Sequence, residues 1–156
     1  MHNLIQRYIT DAGNLTQSLG LGRVPGQLFA YLYFSSEPRN LVDMQHALGI
    51  SKGSASTVVR QLGQWGAVRK VWIKGDRRDY YEANEWLGQI VRNILRDTLG
   101  KRLASANSLL DMDADELPAD DKESVFIRHR IENLRSFQHK AARALNNPFI
   151  SKLLKK

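Results

Sequence analysis

The sequence predicts a mainly α-helical protein that carries one small β-hairpin. Three observations lead there. Apolar residues recur at helical spacing over much of the chain, above all from 4 to 19 and from 86 to 145. The period changes to two over one stretch only, 67–83. Just before that stretch, Leu48-Gly49-Ile50-Ser51 joins two short helical patterns across a tight glycine turn.

The first helix is written by Leu4, Ile5, Tyr8, Ile9, Ala12, Leu15 and Leu19, with Gly13 as a soft spot. "GLGRVPG" (20–26) breaks it, and Pro25 suits the start of a second helix followed by the apolar "QLFAYLYF". "SSEPRN" (35–40) reads as a loop whose Asn40 caps a short helix over 41–48, ended by Gly49. Ser51 caps the next helix, which runs to Gly66 and buries Ala55, Val58, Val59, Leu62 and Trp65. From Ala67, Val68, Lys70, Trp72 and Lys74 alternate with Arg69, Val71 and Ile73, and "DYYEA" (79–83) returns as the second strand. Trp65 and Trp72 are both expected in the core rather than stacked on bases.

Leu87, Ile90, Val91, Ile94, Leu95, Leu99, Leu103, Ala106 and Leu110 mark a long helix over 86–110, about 37 Å at 1.5 Å per residue. The acidic "DMDADELPADD" (111–121) is a linker. A last amphipathic helix over 122–145 follows through Ile127, Ile131, Leu134, Ala141 and Leu145.

Length and composition bound the answer. A chain of 156 residues, 42% hydrophobic and 25% charged, fits one globular domain, or one domain plus a helical extension. No run approaches the roughly 20 apolar residues of a membrane span, and Met-His-Asn-Leu does not read as a secretory leader. With no cysteine there are no disulfides or thiolate metal sites. The expected location is cytoplasmic.

The net charge is +7, and it is polarised. From 50 to 78, Lys52, Arg60, Arg69, Lys70, Lys74, Arg77 and Arg78 face Asp76 alone; from 111 to 123 acids outnumber Lys122. One face is therefore offered to a polyanion. The helix after the glycine turn exposes short polar groups: Lys52, Gly53, Ser54, Ser56, Thr57, Arg60, Gln61 and Gln64. Groups of that size let a helix backbone approach a DNA groove, where Ser and Thr can reach phosphates or base edges. Its N-terminus, from Ser51, offers free amides to a phosphate. The hairpin tip Lys74-Gly75-Asp76-Arg77-Arg78 then suits the adjacent minor groove, with Asp76 bracing Arg78 or Arg77. A basic hairpin tip alone is usually a solvated turn; beside a polar recognition helix it reads as a DNA contact. Arg69 and Lys70 read equally as strand surface charges.

The run "LGISKGSASTVVRQLGQWGAVRKVWIKGDRRDYYEA" (48–83) resembles the MarR superfamily of winged-helix regulators. Asp76-Arg77-Arg78 matches its D-x-R wing signature, and Gly66-Ala67-Val68 its entry to the wing. "GRVPGQ" (22–27) and "GDRRDYYEA" look more like the GbsR branch. The Thr-Arg pair of many relatives is replaced here by Ser56-Thr57, which leaves sequence preference open. The resemblance implies a winged helix-turn-helix with N- and C-terminal dimerisation helices: 1–20 for dimerisation, 21–85 for DNA binding, 86–156 for dimerisation again. It further implies a homodimer on a palindromic operator in double-stranded DNA. Repression is the expected direction, because operator occupancy blocks polymerase without further contacts. The terminal helices independently carry more apolar surface than one small core can bury.

The branch's namesake senses choline, and quaternary ammonium groups are held in aromatic cages. Tyr8, Tyr31, Tyr33, Phe34, Trp86 and Phe137 are the candidate lining of a small-molecule effector pocket of open identity, although plain core packing explains them more simply. No cofactor is expected. His2, His46, His129 and His139 lack metal-ligand spacing, and no G-x-S-x-G or phosphate loop is present. "GLGRVPG" follows no strand, so it fails as a dinucleotide loop. The chain is not expected to be an enzyme. The rival expectations are a winged-helix protein-interaction module and an RNA-binding protein.

Overall fold

The computed structural model describes residues 3–110 and 121–145. The acidic linker lies almost wholly outside them, as do His2 and the side chains of Leu103, Ala106, Leu110 and Leu145. The chain divides into two compact units, Met1–Ile90 and Val91–Lys156.

In the first unit α1 (Asn3–Ser18) packs along α2 (Arg23–Tyr33), joined by a turn in which Gly20 and Gly22 take positive φ. Pro25 is the third residue of α2, not the first. It still falls in the opening turn, where its missing N–H costs nothing. Ile9, Leu28 and Met44 are fully buried.

The segment read as a loop contains a two-residue strand, β1 (Arg39–Asn40), too short to leave a period-two signal. Asn40 caps α3 (Leu41–Leu48) as expected. Its Oδ1 accepts from Val42 N at 2.8 Å and Asp43 N at 3.2 Å, while Asp43 Oδ2 accepts from Asn40 N at 3.0 Å. That reciprocal box satisfies helix-end donors which would otherwise have no partner. Gly49 ends α3 with φ 64°, a conformation that favours glycine. In α4 (Lys52–Gln64) Ser51 Oγ accepts from Ser54 N at 3.1 Å, and Ala55, Val58, Val59 and Leu62 form the buried stripe.

Gly66, at φ 68°, turns the chain into the hairpin. Strands β2 (Val68–Val71) and β3 (Tyr80–Ala83) pair antiparallel, Val68 opposite Ala83 and Val71 opposite Tyr80. β1 adds to the far side of β3, with Asn40 opposite Tyr80, so the sheet order is β1-β3-β2. The molecule is therefore mainly α with a small antiparallel sheet, a winged helix-turn-helix.

One core expectation is corrected. Trp65 is buried, but Trp72 is 85% exposed. The pairing of β2 stops at Val71, so Trp72 belongs to the projecting tip and has no layer above it.

Helices α5 (Leu87–Leu110) and α6 (Lys122–Leu145) have nearly the expected bounds. Val91, Leu95 and Leu99 recur every fourth residue on α5 and are exposed; on α6 so are Val125, Phe126, Leu134 and Phe137. No helix among the described residues is long and apolar enough to cross a membrane. Among the described residues no cluster of acids and histidines could hold a metal ion.

Candidate nucleic-acid interface

α4 presents two faces because its apolar residues occur only at helical spacing. Opposite its buried stripe, Lys52, Gly53, Thr57, Arg60, Gly63 and Gln64 are exposed, and Ser54, Ser56 and Gln61 are half-buried. Ser51, exposed at the N-cap, accepts from the Ser54 amide at its hydroxyl oxygen, which leaves its O–H as a donor toward a phosphate.

The wing tip is a built structure. Ile73 O accepts from Asp76 N at 3.2 Å across a turn in which Gly75 takes φ 88°, the third-position geometry that wants glycine. Asp76 Oδ1 accepts from Arg78 N at 2.9 Å. The same carboxylate takes Arg78 Nη2 at 2.6 Å and Nε at 3.1 Å, and the Tyr80 hydroxyl at 2.8 Å. Arg78, above all, therefore holds the Asp76 carboxyl well below the usual carboxylate range, with Tyr80 assisting. The bond to Asp76 raises the Tyr80 phenol in turn. Of the two expected partners Asp76 braces Arg78. Lys74 and Arg77 are exposed, and neither makes an ion pair among the described residues.

Arg69 and Lys70 are paired across the hairpin, Arg69 with Glu82 and Lys70 with Asp79 at 2.7 Å. All four groups keep solvent contact, so each pair adds little to stability. Between α4 and the hairpin runs a groove of about 550 Å³, lined by Ser56, Arg60, Gln64, Lys70 and Tyr81 among others. Burial raises the Tyr81 phenol, so it stays neutral there.

Of the candidate effector-pocket rings in the first unit, Tyr8, Phe34 and Tyr33 form one series of ring contacts. Tyr31 is a core residue. Tyr8 and Phe34 contact each other, with centroids 5.3 Å apart, and Phe34 meets Tyr33 edge-on at 5.4 Å. Tyr33, at the end of that series, lines a cavity of about 530 Å³ together with Trp86, Arg69, Glu82, Asn84 and Glu85. Phe137 is an exposed residue of α6.

Sequence reasoning missed Tyr80 and Asn40 as parts of the wing. The only sequence signal for Tyr80 was the paired tyrosine of "DYYEA", whose strand alternation sends one ring to each side of the sheet, while Asn40 was legible only as a helix cap.

A solved transcriptional regulator has the same fold: TM-score 0.61, 24% identity, 91% of this chain and 95% of that one covered. Among curated relatives, the chain is 28% identical over 93 residues to YvaV of Bacillus subtilis, a candidate HTH-type transcriptional regulator. That match covers 60% of this chain and 52% of YvaV. It is 31% identical over 78 residues to the HTH-type transcriptional regulator MmpR5 of Mycobacterium tuberculosis, covering 49% and 47%. A third, the HTH-type transcriptional repressor OpcR of Bacillus subtilis, is 29% identical over 68 residues, covering 44% and 37%. The chain thus spans about half or less of the length of the curated relatives it matches. No protein-family model matches it.

Proposed function

We propose that this chain is a non-enzymatic transcriptional regulator of the MarR type, GbsR-like branch, which binds a palindromic operator in double-stranded DNA as a homodimer and represses. The carrying observation is that one unit combines a polar recognition face on α4 with a cationic hairpin tip braced by Asp76. In this reading Lys52, Ser54, Ser56, Thr57 and Arg60 meet the major groove beyond the Ser51 cap. Lys74, Arg77 and Arg78 meet the adjoining minor groove, with Gly75 and Asp76 shaping the wing. The names of the curated relatives, one of them a repressor, support it. Repression also needs the least machinery, because occupancy alone blocks polymerase.

Exposed apolar rows support the homodimer. Leu4, Tyr8, Leu15 and Leu19 along α1 and just past its end, and Val91, Leu95 and Leu99 on α5, are costly to leave in water. Two-fold symmetry then sets the half-sites about one helical turn, roughly 34–36 Å, apart. A DNA target goes with a cytoplasmic location, and Tyr33 and Trp86 are the part of the effector lining that opens on a cavity.

The test is to incubate the purified protein with sheared genomic DNA at near-physiological salt and sequence what it retains. A few sites sharing an inverted repeat are expected. Retention without a common motif overturns the regulator reading, as does preference for structured RNA or an acidic protein over duplex DNA.

A further inference from the structure

The wing's anchorage reaches further into the fold than the Asp76–Arg78 pair. Every bond between those two residues joins groups two positions apart on one projecting tip, so the pair by itself could move with the tip as a unit. The bond from Tyr80 is different. Tyr80 belongs to β3, is 9% exposed, and lies opposite Asn40 across the sheet. Its hydroxyl donates to Asp76 Oδ2 at 2.8 Å, and its ring centroid lies 5.6 Å from the Arg78 guanidinium carbon.

Asn40 ties this point to the helix-turn-helix. Its side chain stands beside the Tyr80 hydroxyl while its Oδ1 is committed to the first amides of α3. Asp43, the other half of that capping box, lies near enough to Arg78 to attract it. A continuous run of contacts therefore leads from the start of α3, through β1 and β3, to the cation at the tip.

We propose that Tyr80 is the positioning residue of the wing, its hydroxyl fixing the Asp76–Arg78 pair relative to β3 and the capped start of α3. Arg78 is then offered to DNA in a pose set by the helix-turn-helix. The consequence for DNA rests on the regulator reading; the positioning itself does not.

Tyr80→Phe in the full chain removes one oxygen and keeps the ring. The first measurement needs no DNA: the Arg78 Nε–H signal by ¹⁵N NMR. It should be single and sharp in the unsubstituted protein. In Tyr80→Phe it should broaden or move toward the free-arginine position, with the fold retained and the melting temperature lowered by no more than a few degrees. Asp76→Asn, which leaves Tyr80 an acceptor but removes the charge, should loosen the same signal. The second measurement is affinity for a selected duplex, expected to weaken about threefold to tenfold in Tyr80→Phe. That loss should vanish in an Arg78→Ala background, because the two residues act through one contact.

An unchanged Arg78 signal in Tyr80→Phe overturns the proposal. So does an equal affinity loss with and without Arg78, which marks a merely structural role. If the unsubstituted protein retains no duplex DNA, the regulator reading fails, and the NMR measurement still decides the positioning.

Discussion

Gly26 of α2 lies so close to Ala12 of α1 that a β-carbon on Gly26 would fall 2.0 Å from the Ala12 carbonyl oxygen. The contact is reinforced by the Gly26 amide, which donates to Thr16 Oγ1 at 3.2 Å, while Thr16 in turn donates back to Ala12 O at 3.2 Å. The obstacle is backbone, so it cannot rotate away as a side chain would. Gly26→Ala must therefore part the two helices, at about 3 kcal/mol, toward the upper end of overpacking costs. Urea unfolding followed by circular dichroism should show a lower midpoint. A variant as stable as the unsubstituted protein would mean that α1 can slide along α2 without loss.

A second expectation concerns pH. The Asp76 carboxyl is depressed chiefly by Arg78, so its stabilising effect is fully present above the ordinary value of about 3.9 and disappears as pH falls through its lower folded value. Tyr80 is raised, chiefly by Asp76, so its contribution is present below about 10 and disappears above the raised folded value. Arg78, Asn40 and Asp43 complete the surroundings of the pair. The tip should keep its geometry from about pH 5 to about 9. NMR signals of Tyr80 and Arg78 should be constant over that range and change only in stronger acid or base. A transition near neutrality would contradict the assignment.

Asp79 offers a third test. Its carboxylate is the first cause of the raised Lys70 ammonium, across a pair in which both groups are about half exposed. Lys70 also lines the groove beside α4. Asp79→Asn should leave stability within about 0.5 kcal/mol, as surface changes usually do. It should also strengthen binding to duplex DNA of any sequence, because one anion leaves the basic face. Titration with random-sequence duplex at two salt concentrations would reveal this, and unchanged affinity would place Lys70 away from the DNA backbone.

Much of this arrangement could be read before any coordinates. Asn40 and Ser51 as caps, Gly49 as a left-handed stop and the apolar stripe of α4 are local properties, encoded within a few residues of where they act. What escaped was nonlocal or too short. β1 has two residues, below the length at which alternation is visible, and it exists because β3 offers it an edge. Trp72 continued the alternation of β2 into a region where the strand no longer has a partner. The Asp76–Arg78 bracing was legible because two residues apart is within reach of one turn. The place of Tyr80 and Asn40 depends on strands separated by forty positions, and no periodicity carries that.

The last prediction separates the two kinds of contact the proposed interface would make. Arg78 at the wing and Thr57 on α4 are both exposed, but their environments differ. Arg78→Ala removes a cation and also strips Asp76 of its main partner, leaving an uncompensated anion at the tip. Affinity should then fall for every sequence, with the slope of log affinity against log salt shallower by about one unit. Thr57 carries no charge and sits one turn and a half into α4, where a hydroxyl and a methyl can discriminate base edges. Thr57→Ala should keep the salt slope and change which sequences are preferred, by about 1–3 kcal/mol at one base position. Selection from a randomised duplex pool, repeated for each variant at two salt concentrations, reads both quantities. If Arg78→Ala keeps the full slope, the wing does not meet phosphate. If Thr57→Ala selects the same sites as the unsubstituted protein, that part of α4 does not read bases.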